Sequence, residues 1–183
     1  IGYPVALRTD PVDPSADGPA AQVRLGLGTP AAVRDAFAEL TAGGTGPVSV
    51  QAMAGAGSAA TVGITQDPLF GPLVTLGISA GLGDGPRGRA GRIAPLTDRD
   101  AAELAAEALG RARLDGSPWT DAERTAIEDV LLRAGRLAED LPELAELDIN
   151  PLIVTPAQTA AGGFRARVAP WAPRPELALR HLN

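Results

Sequence analysis

Apolar positions recur along this chain with two periods, and the alternation between them sketches the elements. Tyr3 to Leu7 is a short apolar run and predicts a strand. Residues 9 to 21, rich in Pro, Asp, Ala and Gly, predict a loop. Val23-Arg24-Leu25-Gly26-Leu27 alternates and predicts a second strand. Thr29-Pro30 offers a capping hydroxyl and a proline suited to the first helical position, and Val33, Phe37 and Leu40 follow at helical spacing until Gly43-Gly44. From Val48 to about Ile93 the pattern is strand and turn, with strands expected at Val48 to Met53, Ala59 to Thr65 and Pro72 to Ile78. Ser79 to Gly91 holds five glycines and a proline and is expected to be a mobile loop, before extended chain from Arg92 to Leu96.

Two amphipathic helices come next. Thr97 caps the first, over 98 to 110, with Leu104, Ala105, Ala108 and Leu109 on one face and Gly110 at its end. Thr120 and Glu123 have capping-box spacing and open the second, over 121 to 138, with Ile127, Val130, Leu131, Leu137 and Ala138 inward. Leu147 to Val154 predicts a strong strand whose Pro151 marks an edge or a bulge, and Phe164 to Val168 is placed to pair with it. The end from Pro170 to Asn183 is Pro-rich and then briefly helical. Strands with helices grouped at one end give an α/β (α+β) class, a mixed sheet flanked by helices.

Composition removes several chemistries. The chain has 183 residues, 45% of them hydrophobic and 21% charged, which is ordinary globular composition. Aromatics are only 3%, so the core must be built from Ala, Val, Leu and Ile. There is no Cys, hence no disulfide or thiolate nucleophile, and all 16 basic residues are Arg. Without Lys there is no side-chain amine for a Schiff base or a P-loop. The single His, His181, leaves no multi-histidine metal site and no Ser-His-Asp triad of ordinary design. A net charge of −6 with no basic run argues against nucleic acid or an anionic membrane as partner. No apolar stretch approaches the ~20 residues of a bilayer span, and Ile1-Gly2-Tyr3-Pro4 is not a signal peptide, so a cytoplasmic location is expected.

Two glycine loops imitate phosphate-binding fingerprints. Gly55-Ala56-Gly57-Ser58-Ala59-Ala60 fits G-x-G-x-x-G/A, but that fingerprint needs a helix to begin there and aim its N–H groups at a pyrophosphate. The continuation, Thr61-Val62-Gly63-Ile64-Thr65, is β-branched and predicts a strand. Gly83 to Gly88 matches the same spacing and reads as a flexible hairpin loop. A more informative run is Glu143 to Val154. On a strand, Glu146, Asp148 and Asn150 project from one face with period 2, and three hard oxygen side chains can supply part of a Mg²⁺ shell while leaving room for phosphates. An exposed strand face carrying acids is the alternative.

At this run the chain resembles the ATP-grasp domain of NDP-forming acyl-CoA synthetases, whose P-E-I-A-E-L-D-I-N-P-L is nearly matched at Pro142 to Leu152. Further collinear matches are Ile1 to Val5 with I-G-Y-P-V, Val23 to Leu27 with V-x-L-G-L, and Val50 to Met53 with V-Q-x-M. Asp67 to Pro72 matches D-P-x-F-G-P, and Arg92 to Thr97 matches R-L-A-P-L-T. The resemblance implies an ATP-grasp-like fold without the start of its N-terminal subdomain. It places the end of the small lid subdomain at 1–46, the C-terminal subdomain at 47–170 and a Pro-rich tail at 171–183. It also implies ATP or ADP with Mg²⁺, and transfer of phosphate by way of an acyl phosphate and a phosphohistidine supplied by another domain.

Carried over residue by residue, the resemblance gives Arg8, Gln51, Met53 and Arg92 as residual nucleotide-binding positions, and Glu146, Asp148 and Asn150 as residual metal positions. Much of the rest departs from the pattern. The phosphate-binding Lys becomes Arg8, and H-K-S-D-V-G-G-V falls on Ala16 to Val23, with Pro19 removing an N–H. Family carboxylates fall on Ala59, Asp84 and Gly88, and the metal-binding Asp of D-A-R falls on Arg165. A guanidinium there replaces −1 with +1 beside a dication. At ~4 Å and an effective dielectric of ~20 each unit-charge pair is worth about 4 kcal/mol, so metal affinity should collapse. Arg165 is accordingly expected to pair with Asp148 or Glu146. The expected function is a degenerate, structural or regulatory ATP-grasp module with no catalytic residue of its own and with nucleotide binding weak or lost. Its partners would be CoA-binding, ligase or acetyltransferase domains of the same polypeptide. The alternative is a working ADP-forming acyl-CoA ligase in which Arg8 and Arg165 hold phosphates directly.

Overall fold

A computed structural model describes residues 1–9, 22–42, 46–53, 55, 57–79, 85–112, 119–156 and 158–170. The chain divides into two units, Ile1–Gly55 and Ala56–Asn183. In the first, β1 (Val5–Thr9) lies between β2 (Val23–Leu27) and β3 (Val48–Ala52), all antiparallel. Because β3 pairs with β1, the 46/47 boundary expected from the sequence falls within this unit, and the division lies at Gly55/Ala56. β2 bulges opposite Ala6, and Gly26 takes φ 70° there, a conformation costly for other residues. Helix α1 (Pro30–Thr41) is capped by Thr29, whose hydroxyl accepts the Ala32 N–H. It buries Ala36 and Leu40 against Val5 and Leu7.

The second unit has a sheet ordered β6 (Gly88–Ile93), β5 (Gly71–Ser79), β4 (Ser58–Asp67), β7 (Leu144–Val154) and β8 (Thr159–Ala161), with β9 (Phe164–Val168) also on β7. All these pairings are antiparallel. Period-2 patterning buries Ala60, Val62 and Ile64 of β4 and Val74, Leu76 and Ile78 of β5 on one face. Helices α2 (Asp98–Ala112) and α3 (Asp121–Asp140) cover that face with Leu104, Ala105, Ala108, Ile127 and Leu131. Alanines let α2 approach closely, and Gly88 completes the fit. A Cβ on Gly88 would sit 2.3 Å from the Ala108 carbonyl oxygen.

Gly88 therefore begins a strand where composition suggested a loop through Gly91, while residues 80–84 of that expected loop lie outside the described residues. Asp67 explains the Asp-Pro-Leu-Phe-Gly turn: its Oδ1 accepts the Leu69 and Phe70 N–H groups at 2.8 Å each, and Gly71 takes φ 91°. Pro151 sits at a bulge. Ile149 faces Val62 and Leu152 faces Ala60, so Asn150 and Pro151 together oppose Thr61. The Pro-rich tail at 171–183 lies outside the described residues.

Candidate functional site on the open face of the larger sheet

The face of the second sheet turned away from α2 and α3 carries the charged run read from the sequence. Ile149 and Leu147 pack toward the helices, so Glu146, Asp148 and Asn150 point the other way, and all three are exposed. The register extends this face in rows. One row runs Arg165, Asp148, Gly63, Thr75, Gly91 across five strands, and the next runs Arg167, Glu146, Thr65, Leu73, Ile93. Gly63 keeps the row beside Asp148 flat, since a Cβ there would lie 2.7 Å from Thr75 Oγ1. Glycine and threonine thus leave a shallow platform with two acids and two arginines at one side.

The expected ion pair of Arg165 is not formed. Among the described residues the pair belongs to Arg167, whose Nη2 donates to Glu146 Oε1 at 2.7 Å. Register decides between the two arginines: β9 sets Arg167 opposite Glu146 and Arg165 opposite Asp148. The bond from Arg167, and then its charge, holds the Glu146 carboxyl below the usual carboxylate range, with a smaller contribution from the charge of Arg165. Glu146 in turn raises the Arg167 guanidinium above its ordinary value.

Arg92 does not join this platform. β6 sets it opposite Val74, whose side chain is in the core, so Arg92 projects toward the helices. There its Nη1 donates to Glu107 Oε2 at 2.8 Å, and Glu107 also pairs with Arg111. Arg92 is the main cause holding the Glu107 carboxyl below its usual range. Arg8, Gln51 and Met53 belong to the first unit. Val5 and Leu7 face α1, so Arg8 and Gln51 share the opposite face, Arg8 across from Ser49 and Gln51 across from Ala6. Met53 follows β3, its N–H donating to the Pro4 carbonyl at 3.3 Å. Ala59, one of the positions where the family pattern has an acid, is buried in β4. The helix required by a dinucleotide fingerprint is absent after Gly57, since Ser58 to Asp67 is strand.

Sequence reasoning missed Arg167 as the partner of Glu146 and Glu107 as the partner of Arg92. The first had a signal, because Arg165 and Arg167 share one parity and one face. The second needed the packing of α2 on β6. The donor set fits a divalent cation poorly. One of its two carboxylates is bound by a guanidinium, and no group of three His, Asp or Glu side chains suited to a metal occurs among the described residues.

A family model described as ATP-grasp domain matches residues 1–168. An ADP-forming acetate–CoA ligase I of Archaeoglobus fulgidus is 33% identical over 174 residues, covering 90% of this chain and 25% of that enzyme. The beta subunit of an ADP-forming acetate–CoA ligase I from Pyrococcus furiosus is 28% identical, covering 83% of this chain and 69% of the subunit. The chain thus spans a quarter of one relative and about two-thirds of the other. Among solved structures, Ca. Korarchaeum cryptofilum dinucleotide forming acetyl-coenzyme A synthetase 1, in complex with coenzyme A and Ca-AMPCP, superposes with a TM-score of 0.75 at 28% identity, covering 92% of this chain and 77% of that one. The same synthetase in complex with Mg-AMPPCP gives a TM-score of 0.70 at 29% identity, covering 92% and 78%.

Proposed function

Because this chain belongs to the ATP-grasp domain family found in ADP-forming acyl-CoA synthetases, we propose that it is the ATP-grasp module of a larger synthetase-like protein and has lost a working Mg-nucleotide site. The observation that carries this reading is the charge balance on β7 and β9. A relative bound Mg-AMPPCP, yet here Arg165 stands across from Asp148, at the position where the family pattern has an acid. Glu146 is committed to Arg167 and Asp148 faces Arg165, so the platform offers a dication no net negative charge. Without a cation to bridge its phosphates, ATP or ADP loses the charge compensation that a metal supplies.

The role left to such a module is structural or regulatory, held by its neighbours in the polypeptide: CoA-binding, ligase or acetyltransferase domains, in the cytoplasm. Lys-free Arg8 and the losses at Ala59 and Gly88 support the same direction. Thermal unfolding followed during titration with MgATP and MgADP tests it. A ligand at 100 times its Kd stabilises by about 2.7 kcal/mol, which shifts the Tm of a domain this size by several degrees. The expected result is no saturable shift up to millimolar nucleotide. A saturable rise with MgADP would instead favour a working ADP-forming acyl-CoA ligase in which Arg8 and Arg165 hold phosphates.

A further inference from the structure

The two-by-two arrangement on β7 and β9 singles out one residue. Glu146 and Asp148 alternate on β7, Arg165 and Arg167 alternate on β9, and antiparallel register sets acid opposite base in both positions. All four side chains are exposed on one face. Arg167 is committed, its guanidinium bonded to Glu146. Arg165 forms no ion pair among the described residues, although its charge is felt at Glu146. It therefore stands as a fixed positive charge beside Asp148, the acid not taken by Arg167.

We propose that Arg165 takes the place of a divalent cation on this face, so that the protein binds neither Mg²⁺ nor Mn²⁺ there, and that this single side chain is what bars the metal. The inference rests on the reading of a lost Mg-nucleotide site and deepens it by naming the device. With Arg165 removed, oxygen groups for part of a hard-cation shell would remain. Asp148 lies next to the flat Gly63, Asn150 is exposed two residues further along β7, and Glu146, held by Arg167, is one alternation away. What opposes a dication is Arg165. An acid at position 165 would stand directly across from Asp148, and the pair would face solvent with no cation between them.

The test is a gain of binding. Mn²⁺ is titrated into the parent chain, Arg165→Asp, Arg165→Ala and the double variant Arg165→Asp/Asp148→Asn, with free Mn²⁺ read by electron paramagnetic resonance and no nucleotide present. The parent is expected to show no saturable site at low millimolar Mn²⁺. Arg165→Asp is expected to acquire one site at least tenfold tighter than any binding by the parent, and Arg165→Ala a weaker one. Addition of Asp148→Asn is expected to abolish the acquired site. Both substituted positions are on an exposed face, and circular dichroism on each variant checks that the fold persists. Saturable Mn²⁺ binding by the parent that Arg165→Asp leaves unchanged overturns the proposal. So does a folded Arg165→Asp variant that gains no site. Because no nucleotide is present, the result is separable from the nucleotide titration. Metal-free binding of ADP by the parent would defeat the lost-nucleotide reading and leave Arg165 as the metal's replacement.

Discussion

At the scale of single residues, Glu146 is the best-defined group on the candidate platform. Its carboxyl is held below the ordinary range first by the hydrogen bond from Arg167, next by that residue's charge, and less by Arg165. A depressed folded value means that the pair's contribution to stability is present above the unfolded carboxylate range, near ~4.3, and is lost as pH falls through the lower folded value. The pair is exposed and screened by salt, so the effect on stability should be small. The titration itself is the sharper observable. In side-chain carboxyl NMR, Arg167→Ala should move the Glu146 midpoint up, and Arg165→Ala should move it up by less. Equal shifts in the two variants would mean that the bond seen here does not govern the group. Gly88 allows a second residue-level prediction. A Cβ there meets the α2 backbone, 2.3 Å from the Ala108 oxygen and 2.4 Å from the Ala112 nitrogen, neither of which is a flexible side-chain end. Gly88→Ala should therefore destabilise by at least about 1–3 kcal/mol, read by urea unfolding, whereas Gly110→Ala, with open space around it, should not.

At the scale of elements, what could be read in advance follows the range of the interaction involved. Helix α3 was legible because its determinants are local. Thr120 and Glu123 form both halves of the capping box, with the Thr120 N–H donating to Glu123 Oε2 at 2.7 Å and the Glu123 N–H to Thr120 Oγ1 at 3.3 Å. Helix α2 begins similarly, with Asp100 Oδ2 accepting the Thr97 N–H at 2.8 Å. Replacing Thr120 by Ala should cost about 0.5–2 kcal/mol in chemical denaturation, with the loss confined to the unit that holds α3. β6 was less legible, because its glycines serve contacts made by other elements: Gly88 makes room for α2, and Gly91 lies against Leu73 and Thr75. Pro151 by itself pointed to an edge or a bulge, and the register shift between Ala60 and Val62 makes it a bulge. The face shared by Glu146, Asp148 and Asn150 followed from period 2, which holds along β7 up to the bulge that begins at Asn150. The identity of their partners did not, since register is set by β7 and β9 together. Arg92 shows the same limit: its parity on β6 was readable, but which parity faces the helices was not.

At the scale of the whole molecule, the two units differ in how much apolar surface each buries among the described residues. The cluster in the second unit joins two helices to four strands and includes Trp119, Ile127, Leu131 and the buried rows of β4 and β5. The cluster in the first unit consists of Val5, Leu7, Ala36 and Leu40, with Leu27, Val33 and Val48 partly buried around it. Units this small hold little apolar area against the entropy of ordering their chain. Phe37, on the same helix as Ala36 and Leu40, is 49% exposed and adds little to that core. Native-state hydrogen exchange should therefore separate the two. Amides of β1, although central in their sheet, should exchange through a lower-energy opening than those of β4 and β5. Leu7→Ala truncates one of the two leucines of a four-residue core, and truncations of this kind cost about 2–5 kcal/mol. It should bring β1 and β3 to near-unprotected exchange while leaving β4 and β5 unchanged. Leu131→Ala should do the reverse within its own unit, lowering protection in β4, β5 and α3. Were Leu7→Ala to lower protection equally in both units, the chain would open as one cooperative body, and the separation of the two cores would carry no energetic meaning.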